Sequence, residues 1–329
     1  MQIVRLILLF AGALVLVLLI AGHLNWLHPA FDSIGHFRLH LAVIGCFLGL
    51  LLLVSRSILG GSALLIVSAL SFFTTVWPAV GAGKAQAASD ATATYRLLQA
   101  NLRFDNQTPE EFFRLLGETK PDIATIEEVP DMWAQRLKTV SAMYPHQLIC
   151  PARDKIGGVA IISRRPFTPG GLTFCDPDGA AAVQSIDIGG RTVTVAAIHL
   201  EWPWPKLQPQ QLIRLQPAFQ SIKDAGHPVL IGGDMNATPW SAAVAWIAEG
   251  TGTRVLPQAW GTWIFNGLPK SLTPWLGLAI DSILSGGGVT LQSAVTQRAI
   301  GSDHLPILVE FTLDPASGKA PEEADILPS

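Results

Sequence analysis

Charge is scarce in this chain and unevenly spread. Only 14% of its 329 residues are Asp, Glu, Lys or Arg, against about 25% in ordinary soluble domains. Residues 1–89 hold just Arg5, Arg38, Arg56, Lys84 and Asp32. Removing those five from the chain's 22 basic and 25 acidic residues leaves 18 against 24 in 90–329, a net charge of −6. Affinity for duplex nucleic acid depends on Lys and Arg neutralising phosphates, so this balance argues against tight duplex binding. Cysteine is scarcer still, with three residues. No C-x-x-C occurs, which excludes the usual zinc and dithiol motifs. Cys46 lies in an apolar run. Cys150 and Cys175 either form one bridge in an oxidising compartment or sit as small buried residues; nothing in their spacing suggests a pair, so buried thiols are expected.

What fills the N-terminal quarter is long apolar sequence. Residues 4–22 approach the ~20 needed to cross a bilayer, and two further runs follow at 39–54, broken only by His40, and at 58–80. Three in succession predict three transmembrane helices. Between the first two, Gly22 to Arg38 carries His23, Trp26, His28 and His36; it reads as an exposed or interfacial hairpin, and its histidines are given no ligand role. The Lys and Arg count barely biases orientation. Three spans nevertheless place everything downstream across the membrane from the N-terminus, and the short first tail predicts a cytoplasmic N-terminus. Residues 81–94, rich in Ala, Gly, Ser and Thr, read as a linker, and 314–329 as a disordered tail.

From Tyr95 the texture changes to short β runs separated by helical segments. Strands are predicted at 96–100, 123–126, 158–163, 182–188, 191–198, 228–232, 279–285 and 305–312. Helices are predicted at 108–117, 131–140, 209–223 and 240–248. Strands alternating with helices only part of the time predict a layered α/β domain over 95–313 rather than a barrel.

Polar residues recur where these strands end, and such positions gather ligands in α/β domains. They are Asn101, Glu128, His199, Asp234, Asn236, Asp281 and the pair Asp303-His304. Singly, each has an ordinary reading as a turn cap or a solvated loop residue. Gly232-Gly233-Asp234-Met235-Asn236 is more specific, because two glycines allow close backbone approach beside a carboxylate and an amide. Asp281, between Ile280 and Ile283-Leu284, is a carboxylate in an apolar strand and needs a partner, for which a histidine is the obvious choice.

Taken in order, Gln99-Ala100-Asn101, Pro121-Asp122 with Glu127-Glu128-Val129, Ile198-His199-Leu200, Gly232 to Asn236, Ile280-Asp281-Ser282-Ile283 and Ser302-Asp303-His304-Leu305-Pro306 resemble the endonuclease/exonuclease/phosphatase superfamily. The resemblance covers 95–313. It implies a four-layered α/β/β/α sandwich that hydrolyses phosphoesters with a divalent ion, usually Mg²⁺, with Mn²⁺ as a substitute. By the same resemblance Glu128 is the principal metal ligand, with Asn101 beside it and Asp303 contributing. Asp234 orients or deprotonates the attacking water, and Asn236 helps hold the phosphate. His304, oriented by Asp281, meets the phosphate or moves a proton, and His199 is the second imidazole and a general-acid candidate. One position departs from the pattern: Glu127 stands where the family commonly has Gln, which either adds charge near the metal or points away.

The expectation is an integral protein of a bacterial inner membrane, a phosphodiesterase with its catalytic domain outside the cytoplasm and the bilayer as partner. The acidic domain favours a lipid or small phosphoester over nucleic acid. Alternatives are an extracytoplasmic nuclease and a non-catalytic membrane protein that retains the fold for binding. Glu201-Trp202-Pro203-Trp204, just after His199, adds two tryptophans that stack bases, sit at lipid headgroups or simply pack on the domain surface.

Overall fold

The computed structural model describes residues 2–80, 93–152, 154–265 and 267–314. The linker expected at 81–94 lies outside these residues except for its last two positions, and the expected tail lies outside them except for Asp314.

Helix α1 (Gln2–His23) and the run Ile58–Ala79, which begins with α4 (Ile58–Val76), are each long and apolar enough to cross a membrane. Between them stand α2 (Pro29–Gly35) and α3 (Arg38–Val54), bent by 63°. At 17 residues, α3 is about 26 Å long, and it meets the same criterion only together with α2. Two spans therefore stand on length and composition, or the three expected if the bent pair is one span. Contacts advance together along α1 and α4, from Gly12 beside Leu64 to His23 Nε2 and Ser71 Oγ at 3.0 Å, so these helices run parallel. Helix α3 runs back against both. Small residues make that packing close: a Cβ on Gly61 would meet Gly49 O at 2.8 Å, and one on Gly45 would strike Ser68 Oγ.

The hairpin expected to be exposed or interfacial docks on the downstream domain. Asp32 of α2 accepts from the backbone N–H groups of Ala242 and Ala243 at 3.3 and 3.4 Å, and Asn25 Nδ2 donates to Trp240 O at 2.9 Å. Trp240 Nε1 returns a bond to Gly35 O at 2.8 Å. The reason is chemical, since the first N–H groups of a helix lack partners inside it and a carboxylate satisfies them. Here that helix belongs to the downstream domain.

That domain holds twelve described strands in two sheets. The first has the order β11 (Val289–Thr296), β12 (Ile307–Leu313), β1 (Tyr95–Asn101), β2 (Ile123–Val129), β4 (Gly158–Ser163), β3 (His146–Cys150). The second runs β5 (Thr173–Cys175), β6 (Ala181–Ile188), β7 (Arg191–His199), β8 (Val229–Asp234), β10 (Asp281–Gly286), β9 (Arg254–Val255). Period-two alternation sends successive side chains to opposite faces. Leu97, Ile123 and Ile161 meet Val193, Val195 and Leu230 between the sheets. Leu98 and Ile126 turn outward onto Phe112 of α5 (Glu110–Thr119) and Trp133 of α6 (Asp131–Lys138). Ala196 and Ile231 turn onto Phe219 of α7 (Gln208–Asp224) and Ile247 of α8 (Ala242–Thr251). The result is the expected α/β/β/α sandwich.

Cys150 and Cys175 are disulfide-bonded, with Cα atoms 5.4 Å apart, which corrects the expectation of two buried thiols. They lie on β3 and β5, the edge strands of different sheets, so the bridge staples the two layers together. It closes a loop with a sequence separation of 25, and for that length constraint of the unfolded chain is worth about 3 kcal/mol. The double variant Cys150→Ser, Cys175→Ser is expected to lose about that much in denaturant unfolding, and dithiothreitol should have the same effect on the wild type only.

Candidate active site

The polar strand ends of both sheets converge. β7 and β8 are parallel neighbours with His199 opposite Asp234, and β10 runs antiparallel to β8 with Asp281 opposite Asp234. Three of the predicted residues are thus set side by side by strand register alone. From the other sheet, β1 ends in Asn101, and its parallel neighbour β2 carries Glu128.

Glu128 owes its direction to a bulge. The β2–β4 register shifts between Glu127 and Val129, and Glu128 has φ +56°, in the left-handed region. Such a conformation costs about 1–3 kcal/mol for a residue with a side chain and concentrates at functional sites. Its effect is to aim two successive acids at different surroundings. Glu128 accepts from Asn101 Nδ2 at 3.1 Å and from Phe104 N–H at 2.8 Å. Glu127 is wholly buried and accepts from Gln99 Nε2 at 2.8 Å. Burial, reinforced by Asp281 and Asp234, raises its pKa well above the carboxylate range. The departure from the family pattern therefore adds no charge beside Glu128, because Glu127 points away and holds its proton.

Asp234 is the hub. Oδ2 accepts from Asn101 Nδ2 at 3.0 Å and lies 3.5 Å from His304 Nε2 and 3.7 Å from His199 Nε2; Oδ1 accepts from Asn236 N–H at 2.9 Å. Burial and the nearby Asp281 lift its pKa to about 6 against the opposing pull of both histidines. His304 Nδ1 is 2.9 Å from Asp281 Oδ2, and Gln99 Nε2 donates to Asp281 Oδ1 at 2.9 Å. Burial alone would lower the His304 pKa. The carboxylates of Asp281 and Asp234, with the Asp281 hydrogen bond, outweigh it and hold the imidazolium up to about 10. Asn236, at φ +43°, anchors its amide on Leu200 O at 2.8 Å.

The raised imidazole pKa fixes a sign. Stability from a proton held in the fold is full below the unfolded value of 6.5 and is lost as pH rises through about 10. Asp234 has already titrated, at about 6. Melting of the EDTA-treated protein is therefore expected to weaken between about pH 7 and about pH 9, and His304→Gln should flatten that slope.

The three residues of the predicted metal set have different partners. Asn101 touches Glu128, but Asp303 makes its hydrogen bond to Trp263 Nε1 at 3.1 Å. Among the described residues, the His and carboxylate atoms close enough to share an ion are those of Asp234, Asp281 and His304. In that trio the short Asp281–His304 bond already commits one atom of each, so it works first as a hydrogen-bonded chain. The carboxylates of Glu128 and Asp234, oxygen donors suited to a hard divalent ion, both accept from Asn101 Nδ2, at 3.1 and 3.0 Å, while Asn101 Oδ1 accepts from Arg103 N–H at 2.9 Å. Two carboxylates held so close favour a cation between them.

Sequence reasoning gave no role to Gln99, which bridges Glu127 and Asp281, or to Trp263. A polar Gln inside the apolar run Leu97-Leu98 was the available signal for the first. Trp263 sits on no predicted element and gave none. Beside these groups a cleft of about 200 Å³ is lined by Glu128, His199, Asn236, Asp154, Asp178 and Glu201, among others. The two loops that follow Cys150 and Cys175 form part of its wall.

The model of the Endonuclease/Exonuclease/phosphatase family matches residues 98–304. The chain belongs to this family. Its members are hydrolases of phosphoester bonds, and they usually use a divalent metal. Solved structures agree in fold. The endonuclease/exonuclease/phosphatase from Bacteroides vulgatus is 18% identical, with a TM-score of 0.55 over 68% of this chain and 100% of that one. ANGEL2, a 2',3'-cyclic phosphatase, is 14% identical, with a TM-score of 0.55 over 70% and 100%. D. rerio TDP2, complexed with single strand DNA product, is 18% identical, with a TM-score of 0.51 over 67% and 99%. A comparison with curated proteins finds no match.

Proposed function

We propose that the chain is a membrane-anchored, Mg²⁺-dependent phosphodiesterase acting on a lipid or small phosphodiester, with its catalytic domain outside the cytoplasm. The observation that carries the catalytic part is the unbroken chain Glu128–Asn101–Asp234–His304–Asp281 at the strand ends of both sheets.

In the proposed reaction, a water oxygen forms a bond to phosphorus, one ester P–O bond breaks, and the departing alkoxide leaves as an alcohol. Asp234 accepts the water's proton. His304, clamped by Asp281 and cationic at neutral pH, offers Nε2–H to a phosphoryl oxygen and neutralises its charge. His199 gives the leaving oxygen its proton, and Asn236 holds the phosphate. Glu128 and Asn101 would hold the Mg²⁺, and Asp303 would join them through water. Such an ion supplies neutralisation of phosphate charge and a lower pKa for water.

Three apolar helices, α1, α3 and α4, support membrane anchoring, and α3 running back against a parallel α1 and α4 supports a three-span reading. The inter-sheet disulfide supports an oxidising compartment, hence the side outside the cytoplasm. A nuclease is the second reading, favoured by the DNA product bound to D. rerio TDP2. Against it stand the domain's net negative charge and the engagement of Trp202, which packs edge-on against His36 of the anchor at 4.8 Å; Trp204 meets the anchor through its backbone, whose N–H donates to Ser33 Oγ at 3.1 Å, and leaves its ring exposed. Incubating the full chain and Mg²⁺ with plasmid DNA and with phospholipid vesicles decides between the two. Release of phosphorylated headgroup with intact plasmid is expected; nicked plasmid with intact lipid would select the nuclease.

A further inference from the structure

Two segments leave the catalytic residues, and both arrive at the anchor. The first follows His199 and reaches Ser33 through Trp204. The second begins at Trp263, whose ring N–H holds Asp303, and ends at Leu276, whose carbonyl lies 3.1 Å from His40 Nε2 in the first turn of α3. Along this second segment Phe265 and residues 267–277 expose Leu268, Leu272, Leu276, Phe265 at 69% and Trp275 at 81%. Its one formal charge is Lys270, whose Nζ donates back to Ile264 O at 3.3 Å.

A soluble domain seldom exposes so many large apolar groups together. Here they stand level with the end of α3 that meets the catalytic domain. The same end of the bundle exposes Trp26 at 70% and Trp77 at 71%. Tryptophan favours the depth where headgroups give way to acyl chains. A segment tied to the first turn of α3, apolar outward and carrying an exposed tryptophan at the end of the bundle where Trp26 and Trp77 are also exposed, extends the apolar surface of that end. Its occupant is therefore the bilayer rather than another protein.

We infer that Phe265 and residues 267–277 form a lip inserted into the leaflet nearest the catalytic domain, and that the substrate is the headgroup phosphodiester of a lipid in that leaflet. This rests on the membrane-anchored phosphodiesterase reading above. The lip lifts no substrate into water. It seats the site beside a phosphate already held at headgroup depth, with Asp303 and His304 joined to the lip through Trp263 and its bridge.

The test uses the full chain in phosphatidylglycerol/phosphatidylcholine nanodiscs with Cys46→Ala. A nitroxide on Leu276→Cys is expected to be accessible to oxygen and shielded from a nickel chelate, whereas one on the exposed Arg164→Cys, beside the Ser163–Ile123 pair at the opposite end of β2 from Glu128, should show the reverse. Exposure of the Leu276 label to the nickel chelate overturns the lip. The double variant Trp275→Ser, Leu276→Ser is expected to hydrolyse nanodisc lipid about tenfold more slowly and soluble bis-p-nitrophenyl phosphate at the wild-type rate. Equal loss on both, or wild-type lipid hydrolysis in the variant, overturns the role assigned to the lip. Wild type active on the soluble ester but inert on lipid overturns the lipid substrate. Wild type inert on both is failure of the enzymatic reading, and it removes the substrate claim while the spin-label depth still decides the lip.

Discussion

Replacing His304 by alanine is expected to cut hydrolysis of bis-p-nitrophenyl phosphate by about 10³-fold while KM rises only severalfold. A positioned imidazole contributes roughly 10²–10⁴-fold when it transfers a proton, and an electrostatic donor aimed at developing charge contributes about as much. The proposed reaction gives His304 the second role. With its pKa held up to about 10 by Asp281 and Asp234, it keeps its proton at neutral pH, as a fixed cation must. The replacement also leaves Asp281 buried with only Gln99 as its side-chain partner, and an unpaired buried carboxylate is costly. His304→Gln retains a donor and should fold better while remaining slow, which separates lost chemistry from lost folding. Asp281→Asn is expected to show a smaller defect, because the asparagine still touches the imidazole but no longer supports its charge.

Asp234→Asn is expected to be at least as damaging to turnover and to act oppositely on stability. The carboxylate touches Asn101 and lies beside both histidines, so its loss removes the proton acceptor and the group that unites the two imidazoles. Its pKa is lifted from 3.8 to about 6, so at neutral pH the folded state bears the cost of a buried charge. Removing that charge relieves on the order of 3 kcal/mol. The expected outcome is a loss of about 10³-fold or more in kcat with a higher melting temperature in EDTA. A variant that is both inactive and unstable would show instead that the carboxylate's attraction to the histidines holds the site together.

Much of this site was legible because its residues stand at strand ends in recognisable motifs. Asp281 in an apolar strand demanded a partner, and His304, 23 residues away, supplies it. The turn of Glu128 was not legible, since a bulge is set by register between strands and not by local composition. Nor was the seat of Asp303, because Trp263 lies on no predicted element. The disulfide was missed with its strands: β3 and β5 are short sheet edges without clean alternation, and the cysteines meet only when two sheets stack. β11 escaped for the same reason, being a half-buried edge strand. The docking of the hairpin at 22–38 was not legible because it depends on a helix N-terminus some 200 residues downstream, with Asp32 and Ala242 separated by 210 positions.

The most direct measurement is the rate of bis-p-nitrophenyl phosphate hydrolysis by the full chain in detergent, with Mg²⁺, with Mn²⁺, and after EDTA, beside Glu128→Gln. The account predicts turnover with Mg²⁺, abolition by EDTA with recovery on adding the ion back, and a variant whose activity returns only at much higher Mg²⁺. A correctly folded wild type that is inert with every divalent ion, or one equally active in EDTA, would contradict it.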